Sequence, residues 1–157
     1  MDDFKDFYEA RKDMVFRAVF AATSDRAGAE DASAEGFARA FARWSKVGRH
    51  PNPTGWVLRT ALNFHRSWWR RVRRELLGNT PDRPDGGRPD NGLDIDLHAA
   101  IAALPTRQRE VIGLRILADL SPAETGEVLG IAPTTVNVHL HRALGSLRAR
   151  LNEGVVR

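Results

Sequence analysis

The sequence predicts an all-α protein of two small helical domains joined by a flexible linker, and three observations carry that prediction. Apolar residues recur at mixed three- and four-residue spacings along most of the chain, the period of amphipathic helices. Residues 78–92 contain four Gly and three Pro among polar residues and no side chain able to join a core, which reads as a linker. Near the C-terminus, Ser121-Pro122-Ala123-Glu124, then Gly130 and Pro133, punctuate a short helix, a turn and a longer helix. At 157 residues, 42% of them apolar, the chain supports one ordinary core or two small helical ones. The expected domains are residues 1–77 and 93–157.

In the first domain, a helix opening near Asp3 carries Phe4, Phe7, Tyr8, Met14, Val15, Ala18 and Val19 as one apolar stripe and ends near Thr23-Ser24-Asp25. Asp25 is a suitable N-cap for a second helix reaching about Trp44, with Phe37, Ala40, Phe41 and Trp44 on one face. Gly28 and Gly36 are expected to weaken it. Pro51 and Pro53 favour an irregular loop over residues 47–53. A third helix then runs from near Thr54 to about Leu77. At about 100° per residue, Leu58, Ala61, Leu62, His65, Trp69, Val72 and Leu76 share one face. Thr60, Asn63, Ser67, Arg70, Arg71 and Arg74 lie opposite, Arg59 and Arg66 flank them, and Phe64 and Trp68 fall at the border.

The second domain opens with Leu93, Ile95, Leu97, Ala100, Ile101 and Leu104. Pro105 breaks that run and starts a helix striped by Val111, Ile112, Leu114 and Leu117. Ser121 as N-cap, Pro122 at the first helical position and Glu124 three residues after the serine form a capping box. Gly130 suits a left-handed stop. The last helix carries Val136, Leu140, Ala143, Leu147 and Leu151 inward, leaving Thr134, Thr135, Asn137, Val138, His141, Arg142 and Arg148 outward. The whole reads as a helix-turn-helix.

Charge distribution narrows the function. Residues 45–77 hold eight Lys/Arg against one acid, a net +7 that exceeds the +4 of the whole chain. A positive field so concentrated suits a polyanion better than a small substrate. Guanidinium groups hold phosphates, while neighbouring aromatic rings such as Trp68 and Phe64 stack on unpaired bases. In the last helix, Thr134 and Thr135 lie at the N-terminus, where free N–H groups favour a phosphate, Asn137 suits adenine and Val138 a thymine methyl. Enzyme chemistry finds no support: no phosphate-binding glycine loop with its lysine, HExxH, GxSxG or dinucleotide fingerprint occurs, and cysteine is absent. His139 and His141 diverge by about 200° on a helix and cannot chelate one metal. No catalytic residue, metal or cofactor is therefore expected. The acidic start, Met1-Asp2-Asp3, and the lack of a long apolar run lead us to expect a soluble, unprocessed protein without membrane association.

Four segments in order resemble the two-domain sigma factors of bacterial RNA polymerase, the extracytoplasmic-function type, over nearly the whole chain. Ala29-Glu30-Asp31 through Phe37-Ala38-Arg39-Ala40-Phe41 resembles that family's AED-x-x-Q-E-x-F-x-x-A-W segment. Thr54-Gly55-Trp56-Val57-Leu58-Arg59-Thr60-Ala61-Leu62-Asn63, followed by Arg70-Arg71, resembles its A-W-L-x-R-I-A-x-N and R-R segments. Leu104-Pro105-Thr106-Arg107-Gln108-Arg109-Glu110-Val111 resembles the start of region 4. Leu129-Gly130-Ile131, Val136 and Leu140-His141-Arg142-Ala143 resemble its helix-turn-helix.

The resemblance implies a cytoplasmic transcription initiation factor that binds core RNA polymerase, directs it to promoters and promotes strand opening. Its partners would be core polymerase, promoter DNA and, where one exists, an anti-sigma factor, with no small-molecule substrate. Asp31, Glu35, Arg39 and Arg43 would bind polymerase. Asn63, Arg66, Ser67, Trp68, Arg70, Arg71 and Arg74 would contact the minus-ten element. Thr134, Thr135, Asn137, Val138, His141 and Arg142 would read the minus-thirty-five element. The linker would be nearly extended when both elements are bound. Ala34 and Gly36 depart from the family pattern, implying modest polymerase affinity. Ala132, Asn137 and His139 also depart from it, implying weaker or altered upstream recognition. The alternative reading is a stand-alone helix-turn-helix regulator that binds duplex DNA by itself.

Overall fold

The computed structural model describes residues 2–76 and 95–156, and the proposed linker lies outside them. The described residues are helical, with no strand among them: α1 Asp2–Thr23, α2 Arg26–Ala42, α3 Trp44–Val47, α4 Pro53–Glu75, α5 Ile95–Ala102, α6 Thr106–Ile112, α7 Pro122–Leu129 and α8 Pro133–Val156.

Local sequence sets most of these boundaries. Asp25 caps α2, its Oδ1 accepting from the Gly28 N–H at 3.0 Å. Asn52 caps α4 in the same way through the Gly55 N–H, and Pro53 occupies the first turn, where its missing N–H costs nothing. Ser121 and Glu124 complete the capping box in both directions, at 3.0 and 2.8 Å. Gly130 ends α7 at φ 71°, a backbone conformation that suits glycine. Two boundaries differ from expectation. The second helix stops at Ala42, and Trp44 opens a separate short turn, α3. After α6 the chain continues into a π-helical turn, Gly113–Leu117, closed by the Ala118 N–H on the Gly113 carbonyl at 2.9 Å.

In the first unit α1, α2 and α4 pack together. Gly36 does more than weaken its helix: a Cβ there would lie 2.9 Å from the Val57 carbonyl oxygen, so its absence lets α2 and α4 approach closely. In the second unit α8 packs on α5, α6 and α7. The units are not separate bodies. One core contains Val15, Val19, Phe20 and Leu58 together with Val111, Leu114, Leu129 and Val136, and a smaller core joins Ala21 to Ala100, Ile101, Leu104, Ile112 and Ala143. The reason lies in α1, whose residues Ala18 to Thr23 are all buried. A helix buried all round needs partners on several sides, and α6 with its π turn supplies the second one.

Candidate nucleic-acid interface

α4 carries the cationic face. Val57, Leu58, Ala61 and Leu62 point into the core, while Asn63, Arg70, Arg71 and Arg74 are exposed and Ser67 is half-buried beside them. Arg70 reaches back to the Ser67 hydroxyl at 3.4 Å. Among the described residues, none of Arg70, Arg71 and Arg74 forms an ion pair with an acid. Trp68 is 40% exposed and stands edge-on to Trp69, ring centroids 5.1 Å apart. Leu76, expected on the packing face, is instead exposed, at the C-cap of α4.

The helix is anchored from the inner side. His65 Nε2 lies 3.0 Å from Asp25 Oδ2 and 3.1 Å from Trp69 Nε1; carrying a proton it donates to Asp25, and without one it accepts from the Trp69 indole. Asp25 thus caps α2 with one oxygen and ties α4 to α2 with the other. Arg66, on the flank, is not free: its Nη2 donates to Glu110 Oε2 of α6 at 2.8 Å.

The residues expected to meet polymerase lie along α2. Asp31, Arg39 and Arg43 are exposed and Glu35 is half-buried. Glu35 accepts from Arg39 Nε at 2.8 Å, and the Arg39 guanidinium lies 5.8 Å from the Phe64 ring centre. Asp31, Glu35, Ala34 and Ala38 of α2 and Phe64 and Trp68 of α4 line one open groove of about 560 Å³. The predicted polymerase and strand-binding residues are therefore neighbours, with the groove between them.

In the helix-turn-helix, Val136, Ala143 and Leu147 are buried, whereas Thr134, Thr135, Asn137, Val138, His141 and Arg142 are all exposed. They present one polar surface at the N-terminal half of α8. Among the described residues no cluster of His, Cys, Asp or Glu is suited to a metal.

The helix-turn-helix follows a helical unit that bears an arginine face, and the comparisons decide what this combination is. The family models for Sigma-70 region 2 and Sigma-70, region 4 match residues 7–75 and 94–147. The chain belongs to the sigma-70 family, as an extracytoplasmic-function sigma factor. It is 29% identical to the RNA polymerase sigma-E factor of Streptomyces coelicolor over 155 residues, 95% of this chain and 86% of that one. It is 29% identical to the RNA polymerase sigma factor SigV of Bacillus subtilis, covering 90% and 87%. It is 26% identical to the ECF RNA polymerase sigma factor SigW of the same organism, covering 97% and 90%. A solved structure of the sigma factor RpoE of Bartonella quintana, in complex with the anti-sigma factor NepR, has the same fold. It superposes with a TM-score of 0.83 at 22% identity over 97% of this chain and 98% of that one. This sigma factor directs RNA polymerase, and the stand-alone regulator is not favoured. Sigma factors serve as initiation factors for a polymerase that carries out the synthesis.

What sequence reasoning missed is the pair Arg109 and Glu110. Both are buried and both reach the first unit or its edge. Charged residues adjacent on a short helix read as solvated. Only the packing of α6 against α1, with Arg66 of α4 closing on Glu110, buries them.

Proposed function

We propose that this sigma factor docks on core polymerase through Asp31, Glu35, Arg39 and Arg43, and holds the melted nontemplate strand on α4. Arg70, Arg71 and Arg74 take phosphates, Asn63, Arg66 and Ser67 border that track, and Trp68 offers its exposed ring to an unpaired base. Thr134, Thr135, Asn137, Val138, His141 and Arg142 read the upstream element. The observation that carries the reading is the α4 surface: the exposed guanidinium groups of Arg70, Arg71 and Arg74, without acidic partners among the described residues, beside a 40% exposed indole. Like charges so crowded repel one another, and a polyanion relieves the repulsion.

Strand opening follows from differential affinity. A surface that grips phosphates and stacks bases binds separated strands better than duplex, and a ligand shifts an equilibrium only by such a difference. The factor works in the cytoplasm, beside the polymerase, and carries out no catalysis itself. No described helix is long and apolar enough to cross a membrane. By analogy with the RpoE–NepR complex, an anti-sigma factor is a further partner. Reconstituted transcription with purified core enzyme over a promoter library tests the reading. Initiation at a defined subset of promoters is expected; initiation at none would overturn it.

A further inference from the structure

Three side chains on the inner side of α4 meet at a single nitrogen. His65 Nε2 lies within hydrogen-bond distance of both Asp25 Oδ2 and Trp69 Nε1. An indole N–H only donates and a carboxylate only accepts, so one ring nitrogen cannot serve both at once. The imidazole has little room to avoid the choice. Its side chain is 13% exposed and that of Asp25 5%, and a Cβ on Gly28 would lie 2.9 Å from the same nitrogen. Asp25 is fixed as well, since its other oxygen caps α2. Trp69 is the member with space, because it lines a cavity of about 410 Å³ on this side of α4. Its ring stands edge-on to Trp68, at an interplanar angle of 86°, and Trp68 is the ring proposed to take an unpaired base.

Other charges border the site. Arg66 and Arg73 of α4 and Arg109 and Glu110 of α6 line the cavity, and Asp31 and Glu35 of α2 line the groove on the other side of His65. α1 contributes Ala22 and Thr23, which are uncharged, and no residue of α7 lines either space. Glu110 is paired with Arg66 and Arg107, and Glu35 with Arg39. Asp25 is the carboxylate in hydrogen-bond contact with the ring.

We propose that His65 is a positioning residue for strand binding, its proton deciding whether Trp69 is held. The inference rests on reading α4 as the strand-binding helix. With no proton on Nε2, that nitrogen accepts from the indole, Trp69 is tethered, and Trp68 stays braced edge-on with its ring presented outward. With His65 charged, both ring nitrogens are donors. Nε2 then donates to Asp25, whose carboxylate meets the new charge, and the Trp69 N–H is left without its acceptor. The indole turns into the cavity and Trp68 loses its brace. Histidine changes charge between about pH 5 and 8, so mild acidification weakens base stacking on α4 while the guanidinium track stays as it is.

The test uses the full chain. The Trp69 indole N–H, identified by its loss in W69F, is followed by proton–nitrogen correlation NMR, and binding to a rhodamine-labelled oligothymidylate by anisotropy, both across the range in which histidine titrates, about pH 5 to 8. In the wild type the Trp69 N–H resonance is expected to move upfield on acidification, as a donor loses its acceptor. Affinity should fall about fivefold over the same range, the value of one neutral hydrogen bond. In H65Q the amide offers an oxygen to Trp69 and an N–H to Asp25 together and has no proton to gain, so both readouts should be flat. The other histidines remain in H65Q and serve as its internal control. H65A removes both contacts and should bind at high pH as weakly as the wild type does at low pH. A wild-type Trp69 resonance that ignores pH, or a fall in affinity as large in H65Q as in the wild type, would overturn the proposal. If H65Q loses its helical circular dichroism, the wild-type resonance decides. W68A should bind weakly at every pH, without the fall; affinity unchanged by W68A would instead overturn the assignment of α4.

Discussion

Arg70 and Arg71 stand on the outer side of α4, exposed and unpaired with acids among the described residues, while the helix is held from its inner side by the core and by the Asp25–His65 contact. Their removal should leave the fold intact. R70A/R71A is expected to lower promoter-dependent transcription while sparing assembly with core polymerase. Its single-strand binding should also lose salt dependence, the slope of log K against log salt falling by about 1.4 for two phosphate contacts. Equal loss of polymerase assembly would show that the arginines serve the fold. Ser121 sits at the other extreme, with no expected contact to DNA. Ser121→Ala removes one half of a capping box whose bonds measure 3.0 and 2.8 Å. It should cost about 1 kcal/mol in chemical denaturation, without altering promoter choice.

At the scale of the element, α4 and the α7–turn–α8 motif were legible in the sequence because what defines them is local. A capping box, a left-handed glycine and a period of 3.6 residues are each specified within a few positions, and the outward residues of α8 emerge exposed as their spacing requires. Trp68 was readable at the border of α4 for the same reason. Trp68→Ala should weaken binding to an open or single-stranded minus-ten sequence by about tenfold, the cost of one lost base–aromatic stack. Binding to the closed duplex should barely change. The end of α2, the π turn and the outward turn of Leu76 were not legible. The first two involve a distant segment: the Trp44 ring lies 5.3 Å from that of Phe4 in α1, and the π turn rests on the α1 backbone at Ala18. Local propensity carries no information about such partners.

For the whole molecule, the decisive feature is that two units separated by a glycine- and proline-rich segment share a core. The sequence contains one hint of it, the unbroken apolar run from Ala18 to Ala22 in α1, which an amphipathic helix packed on one side alone would not have. His98 lies at this junction, its ring centroid 4.7 Å from that of Phe20 in α1. Burial holds its imidazole below the usual value of about 6.5. The unfolded chain therefore takes up this proton at a higher pH than the folded one. The stability contributed by neutral His98 is fully present above about 6.5 and is lost as pH falls through the lowered folded value. Thermal denaturation from neutral to mildly acidic pH should show this loss, and His98→Phe should flatten it. An unchanged profile in the variant would assign the pH dependence to other groups.

Gripping of the separated nontemplate strand by α4 is tested most directly by permanganate reactivity of minus-ten thymines in promoter complexes, with holoenzyme occupancy held equal between wild type and R70A/R71A. Expected are reactive, unpaired thymines with the wild-type factor and protected ones with the double variant. Equal reactivity in the two, at matched occupancy, would contradict the role assigned to these arginines.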